Sequence, residues 1–340
     1  MTTRFEEVSI VTIAHVDAPV RVTSAEIDAA LSHTYTRLGM PAQLIENLTG
    51  VRARRFWERG MRPSDAATLA GRKAIEESGV DASRIGLLVN TSVCRDYVEP
   101  SVACFVHAKL GLSSSCLNFD VTNACLGFLD GMVIAGNMIE RGQIDYALIV
   151  DAESSREVVE STVERMRSGA CDGPMMREQL ATLTVGSGAV AMLLARSSLV
   201  SDGHRFLGGV SVADTRHNQL CRGTADTGLT DTKNLLTFGV ELAGRTWAKG
   251  QAELGWDGNS VDLFALHQVS ALHTQELSKA LGFAVSKTLL VYPEFGNVGP
   301  ASVPLVLSKA AEAERLSRGD RVVLGGIGSG LNCSAMGVVW

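Results

Sequence analysis

Apolar and small residues alternate through EVSIVTIAHV (7 to 16), as in a buried strand, and the next segment, SAEIDAALSHTYTRLG (24 to 39), changes to helical spacing. The same switch recurs along the chain. DAATLAGRKAIEES reads as a helix N-capped by Ser64 and closed by Gly79, and RIGLLVNTSV as a strand leading into the polar loop CRDYVEP. Pro100 then opens a helix over SVACFVHAKLG. LNFDVT (117 to 122) and DYALIVDAE are further strands. Between them lies NACLGFLDGMVIAGNMIERG, Asn123 to Gly142, in which Asp130 is the only charged residue from Cys125 to Ile139. A helix with so small a polar face is expected to be buried on nearly all sides. Strands alternating with helices predict an α/β fold with parallel sheets covered on both faces.

The pattern repeats. LAGR occurs at 69 to 72 and at 242 to 245, each inside a helix and each followed by a strand, RIGLLVN or VDLFALH. ERGQIDYALIV follows the Cys125 helix as SRGDRVVLGGI follows the helix ASVPLVLSKAAEAERL. Superposing the copies sets the loop GNVGP where the first half has TNACLG. Two similar halves, residues 1 to 195 and 205 to 340, are expected to pack face to face.

Composition narrows the class of function. With 340 residues, 46% hydrophobic and 20% charged, the chain is long enough for two core-bearing units. A net charge of −6 argues against non-specific nucleic-acid binding. The one basic cluster, Arg52, Arg54, Arg55 and Arg59, could meet a phosphate or an acidic carrier protein. The seven cysteines form no CxxC pair, so neither a disulfide framework nor a zinc site is indicated, and a reducing cytoplasm fits best. MTTRFEEVSI lacks the features of a signal peptide, and no apolar run approaches the roughly 20 residues of a membrane span.

Cys125 sits where a strand turns into the buried helix, beside small Ala124 and Gly127. There the first free helix N–H groups favour a thiolate, so a nucleophile is expected. In isolation Cys125 is more simply a small core residue, His267 a satisfied core histidine and Asn297 a turn residue. The repeat changes that weighing. Parallel-sheet proteins build their sites at the carboxyl ends of strands, so Cys125, His267 after VDLFAL and Asn297 in EFGNVGP should converge on one pocket.

NACLGF, HQVS, GNVGPAS and the terminal GIGSGLNCS resemble the thiolase superfamily, in the branch holding ketoacyl-ACP synthase III. Within it, RDYVEPS and NVGPASVPLVLSKA resemble the OleA-like enzymes, which condense two acyl-CoAs head to head in bacterial long-chain olefin biosynthesis. The resemblance runs over essentially the whole chain. It implies a thiolase fold of two similar βαβαβ halves in a five-layered αβαβα sandwich, a homodimer, and acyl-CoA substrates with downstream olefin-pathway enzymes as further partners. No metal or redox cofactor is implied, since coenzyme A thioesters enter as substrates.

Roles follow residue by residue from the resemblance. Cys125 would be acylated by the first acyl-CoA, with the backbone N–H groups of Cys125 and Ser329 binding the oxyanion. His267 and Asn297 would offer N–H donors to the enolate of the second substrate. Glu99 matches the glutamate that OleA-like enzymes send across the dimer interface to remove the α-proton, a step that needs a carboxylate in a dry site. By itself, a Glu before a Pro is a solvated loop residue. GVRARRFW, with Arg52 and Arg55, resembles the segment that meets the nucleotide end of coenzyme A, and Phe105, Phe128, Leu129 and Met132 are candidates for alkyl-chain tunnels, although core packing explains them equally well.

The chain departs from ketoacyl-ACP synthase III at Ser270, where that family usually has Asn, at Val298 and Gly299, which replace GNTS-like residues, and at Ser187, without clear consequence. The reading is a non-decarboxylative Claisen condensation of two long-chain acyl-CoAs to a 2-alkyl-3-keto acid or thioester through an acyl-cysteine. The alternative is a decarboxylating ketoacyl synthase that uses a malonyl thioester. The order Cys, His, Asn also occurs in papain-like proteases, which the doubled α/β pattern disfavours. A non-catalytic dimer partner is disfavoured by the presence of all three site residues.

Overall fold

A computed structural model describes all 340 residues. The strands of the central sheet are β1 (Val8–Asp17), β2 (Ile85–Asn90), β3 (Leu117–Asp120), β4 (Tyr146–Glu153), β5 (Gly188–Arg196), β6 (His204–Ala213), β7 (Leu263–Leu266), β8 (Arg321–Gly328) and β9 (Asn332–Val339). The helices that cover or fill it are α1 (Pro63–Ser78), α2 (Val102–Leu110), α3 (Gly127–Glu140), α4 (Thr232–Leu254), α5 (Ala271–Leu281) and α6 (Ser302–Glu312).

The strand order is β7-β8-β9-β6-β1-β5-β4-β2-β3, with the short strand Thr2–Arg4 added beside β6. Apart from the edge strand β3, which has no counterpart, the order is symmetric about the β6/β1 seam. β2 and β4 pair in parallel as β7 and β8 do, while β4/β5 and β8/β9 are both antiparallel. Only Ser9 and Ile10 of β1 pair across the seam, with Arg205 and His204, so the sheet can fold over on itself there.

Side-chain burial defines the layers. α3 and α6 share one core with the inner faces of both half-sheets, where Leu87, Ile149 and Met192 from one half meet Leu263, Leu324 and Met336 from the other. α1 and α2 cover the outer face of the first half through Ala66, Ala70, Ala74, Val102 and Val106. α4 and α5 cover the second through Leu242, Trp247, Leu277 and Leu281. This is the five-layered αβαβα arrangement of the thiolase fold; α3 is buried over most of its surface, with one half-buried stripe at Asp130, Val133, Ile134, Asn137 and Met138, which fits a sequence with so little charge.

Three local expectations need correction. Helix α1 starts ahead of Ser64, because Pro63 fits the first helical position and holds Arg62 extended; Ser64 instead bonds Asp96 through both its N–H and its hydroxyl. Pro100 does not open α2. The cap is Ser101, and Asp120 at the end of β3 accepts the N–H groups of Val102 and Ala103. Residues 24 to 39 form two helices, Ser24–Ala30 and Ser32–Leu38, broken at Leu31. No helix is long and apolar enough to cross a membrane.

Candidate active site

Cys125 lies two residues ahead of α3, on a tight turn in which Ala124 takes a left-handed φ of 45°. Leu126 N–H bonds to Asn123 O and Gly127 N–H to Ala124 O, which closes the turn. Gly127 and Gly131 let the helix press onto the end of β2. A Cβ on Gly127 would lie 2.7 Å from Thr91 O, and one on Gly131 would lie 2.9 Å from the Thr91 methyl. Asn123 anchors the turn on both sides: its amide donates to Asp130 at 2.7 Å, and its Oδ1 accepts from Asn332 at 3.3 Å. That second bond ties the turn to the GIGSGLN loop. Ser329 in this loop follows Gly328, which passes so close that a Cβ there would lie 3.2 Å from Asn123 O.

His267 follows β7 directly, is buried, and has its backbone held by Gly325 O at 2.9 Å. A Cβ on Gly326 would touch both His267 Cβ at 3.1 Å and Leu126 at 3.3 Å, so the histidine and the cysteine turn flank the same strand end. Asn297 arrives from a separate loop. Its N–H bonds Thr184 O, its carbonyl accepts Gly186 N–H, and its Oδ1 accepts Gly299 N–H at 2.9 Å. The Nε2 of His267 lies 3.1 Å from that same Oδ1. An oxygen already accepting a backbone N–H fixes the amide orientation, so His267 carries its proton on Nε2 and the Asn297 amide nitrogen is left as a further donor. Burial lowers the His267 pKa, which the bond to Asn297 partly offsets, so the ring is neutral at pH 7. The three segments expected to converge do so at the carboxyl ends of the strands.

The electrostatics differ from the expectation of a resting thiolate. Burial above all, then Cys221, Glu153 and Asp151, pushes the Cys125 thiol up to about 12. Helix-end stabilisation acts only over the first turn and is outweighed by desolvation and two neighbouring acids. Those acids were not singled out from sequence. Asp151 and Glu153 end β4, both buried, and burial raises both carboxyls, Glu153 to about 7. Their signal was present in DYALIVDAE, where charge interrupts a strand that is otherwise a continuous apolar run.

The remaining candidates separate. Glu99 is exposed on its loop; beside it Val98 is 92% exposed. The arginines do not form one basic face. Strand alternation turns Arg54 inward, fully buried against Ser24 and Val22, where burial lowers its pKa to about 10. Arg59 pairs with Glu160, and the exposed Arg52 with Glu294. Arg55 packs its guanidinium 5.0 Å from the ring of Phe295, two residues before Asn297. Phe128, Leu129 and Met132 are fully buried in the central core, and Phe105 packs on Tyr97 at 5.8 Å.

The fold and the Cys, His and Asn site define a condensing acyltransferase of the thiolase superfamily. Profiles described as 3-oxoacyl-[acyl-carrier-protein] synthase III and its C-terminal domain match residues 119–214 and 252–340. The chain is 49% identical over 336 residues to an acyl-CoA:acyl-CoA alkyltransferase of Xanthomonas campestris pv. campestris, covering 99% of each chain. To the acyl-CoA:acyl-CoA alkyltransferase of Shewanella oneidensis it is 38% identical, covering 99% of this chain and all of that one. The crystal structure of cerulenin-bound OleA from Xanthomonas superposes with a TM-score of 0.98, at 49% identity over 99% of this chain and 98% of that one. The chain therefore belongs to the thiolase superfamily, among its OleA-like acyl-CoA:acyl-CoA alkyltransferases.

Proposed function

We propose that this enzyme joins two long-chain acyl-CoAs by a Claisen condensation without decarboxylation, acting as a homodimer. The observation that carries the choice is Glu99. It stands at the exposed tip of a loop whose preceding residues, 91 to 97, are tied down, with apolar Val98 beside it, as suits a carboxylate delivered into another subunit. The named activity of the Xanthomonas and Shewanella relatives supports the substrate class. So do crystal structures of the Xanthomonas enzyme as cysteine, histidine and glutamate variants, one of them with bound lauric acid and lauroyl-CoA.

In the proposed sequence, the Cys125 sulfur attacks the thioester carbonyl of the first acyl-CoA, and coenzyme A leaves with the thiol proton. Backbone N–H groups of Cys125 and Ser329 receive the oxyanion. A second acyl-CoA then sets its thioester oxygen beside the Asn297 amide and His267, whose Nε2–H turns from Asn297 Oδ1 to that oxygen. Glu99 of the partner subunit takes its α-proton. The resulting carbanion attacks the acyl-cysteine carbonyl, a C–C bond forms, and the Cys125 thiolate departs, leaving a 2-alkyl-3-ketoacyl thioester or, after hydrolysis, the acid. Intact-protein mass spectrometry after mixing with one equivalent of myristoyl-CoA tests the first half. An adduct of one myristoyl group, mapped to Cys125 and absent from Cys125→Ala, is expected; an unmodified Cys125 would overturn the scheme.

A further inference from the structure

Glu153 has no place in that sequence of steps, yet its buried carboxylate is bound from two sides. Its Oε1 accepts the N–H of Val93 at 2.6 Å and its Oε2 the thiol of Cys94 at 3.0 Å. Its backbone carbonyl accepts the indole N–H of Trp57, and a Cβ on Gly299 would lie 3.5 Å from its Cγ. Glu153 therefore touches both the loop that ends in Glu99 and the loop that carries Asn297.

The bonds form a ladder. From Thr91 onward the chain leaves β2 but stays alongside β4: Thr91 Oγ1 donates to Asp151, Ala152 N–H to Ser92 Oγ, and Val93 N–H to Glu153. Further out, Arg95 bonds Thr122, Asp96 bonds Ser64, and Tyr97 is held by Arg62. Only Val98, Glu99 and Pro100 project free. A polypeptide tied at each residue from 91 to 97 and free for three is a rigid arm with a short tip.

We infer that Glu153 is a positioning residue for the condensation step, clamping the root of the arm that presents Glu99 to the other subunit. This rests on the proposed role of Glu99. Once ionised, above about pH 7, the carboxylate accepts both the Val93 N–H and the Cys94 thiol, and such charge-assisted bonds are stronger than neutral ones. The titratable groups around it are Asp151 on the same strand, Cys94 on the arm and Cys125 on the turn.

Glu153→Gln keeps an acceptor for Val93 and loses the charge. With palmitoyl-CoA alone, the variant is expected to lose roughly 10- to 100-fold in kcat for condensation, since small misplacement of a reacting group has that effect. KM should stay within about twofold, and acylation of Cys125 should be as fast as in the parent or faster. Amide hydrogen exchange over residues 92 to 97 should accelerate in the same variant. Cys94→Ala, which removes one donor and buries no new polar atom, should show a smaller loss, about threefold. Parental kcat with unchanged exchange in Glu153→Gln would overturn the inference. Absence of any condensed product from the parent enzyme would overturn the reading of Glu99 instead, and the exchange result would still report on the clamp.

Discussion

The Nε2 of His267 lies 3.1 Å from Oδ1 of Asn297, an oxygen that also accepts the Gly299 N–H. Each residue thereby fixes the other: the shared oxygen sets the histidine tautomer and turns the amide NH2 group outward. The Asn297 amide is thereby preorganised as a donor, and the His267 Nε2–H joins it once a substrate oxygen draws it from Oδ1, a pair suited to stabilise developing negative charge on oxygen. Asn297→Ala removes one donor and frees the imidazole. It should lower condensation on the order of 100- to 1,000-fold. Acylation of Cys125 should fall far less, which a stopped assay of coenzyme A release against product formation would resolve.

Glu99→Ala should abolish condensation while leaving acylation intact. Mixing it with Cys125→Ala tests whether the carboxylate crosses between subunits. Half of the dimers formed by random exchange are mixed, and each mixed dimer has one complete site, so about a quarter of parental activity should return. No recovery after demonstrated subunit exchange would mean that Glu99 acts within its own chain.

Because burial and two acids push the Cys125 thiol up to about 12, the free enzyme should react slowly with iodoacetamide at pH 7. The rate should climb about tenfold per pH unit between pH 7 and 10 without levelling, since each unit raises the thiolate fraction tenfold. A plateau below pH 8 would indicate a resting thiolate.

Gly186, like Gly296, is a glycine near the site that leaves no room for a Cβ. A Cβ there would overlap Phe295 O, at the segment where Gly186 N–H holds the Asn297 carbonyl. Gly186→Ala should therefore destabilise the fold by about 1–3 kcal/mol and shift Asn297. Thermal melting and the condensation rate should both fall; a variant with parental values in both would contradict this packing.

The buried Glu153 carboxyl is raised from 4.5 to about 7, so the folded protein holds a proton there that the unfolded chain has already released. Stability from this group is complete below pH 4.5 and is lost as pH rises toward 7, because the slope follows the protons bound by the unfolded minus the folded state. Glu153→Gln should remove this decline, so the fall in melting temperature between pH 4.5 and pH 8 should be smaller in the variant than in the parent. An equal melting shift at both values would argue against a buried proton at this position.

The layered fold and the three converging segments were legible because they repeat. LAGR and its following strand mark equivalent positions in each half, and a two-fold arrangement brings strand ends together. The charges in DYALIVDAE mark Asp151 and Glu153 as unusual, but the role of Glu153 was not legible, since nothing in the strand says that the arm folds back on it. The arginine run gave no sign that Arg54 would be buried while Arg52 and Arg55 are not, because that depends on which face of a four-residue strand meets the core. The thiol pKa was misjudged for a related reason: helix-end stabilisation is written in local sequence, whereas desolvation comes from everything packed around the sulfur.

The most direct test of a condensation without decarboxylation is product analysis by mass spectrometry, with purified enzyme given palmitoyl-CoA as the sole substrate. Formation of the C32 2-alkyl-3-keto acid, or the C31 ketone left when it loses carbon dioxide, is the predicted result, unchanged by added malonyl-CoA. Product that forms only once a malonyl thioester is supplied would contradict it, making the enzyme a decarboxylating synthase and Glu99 a residue of the surface.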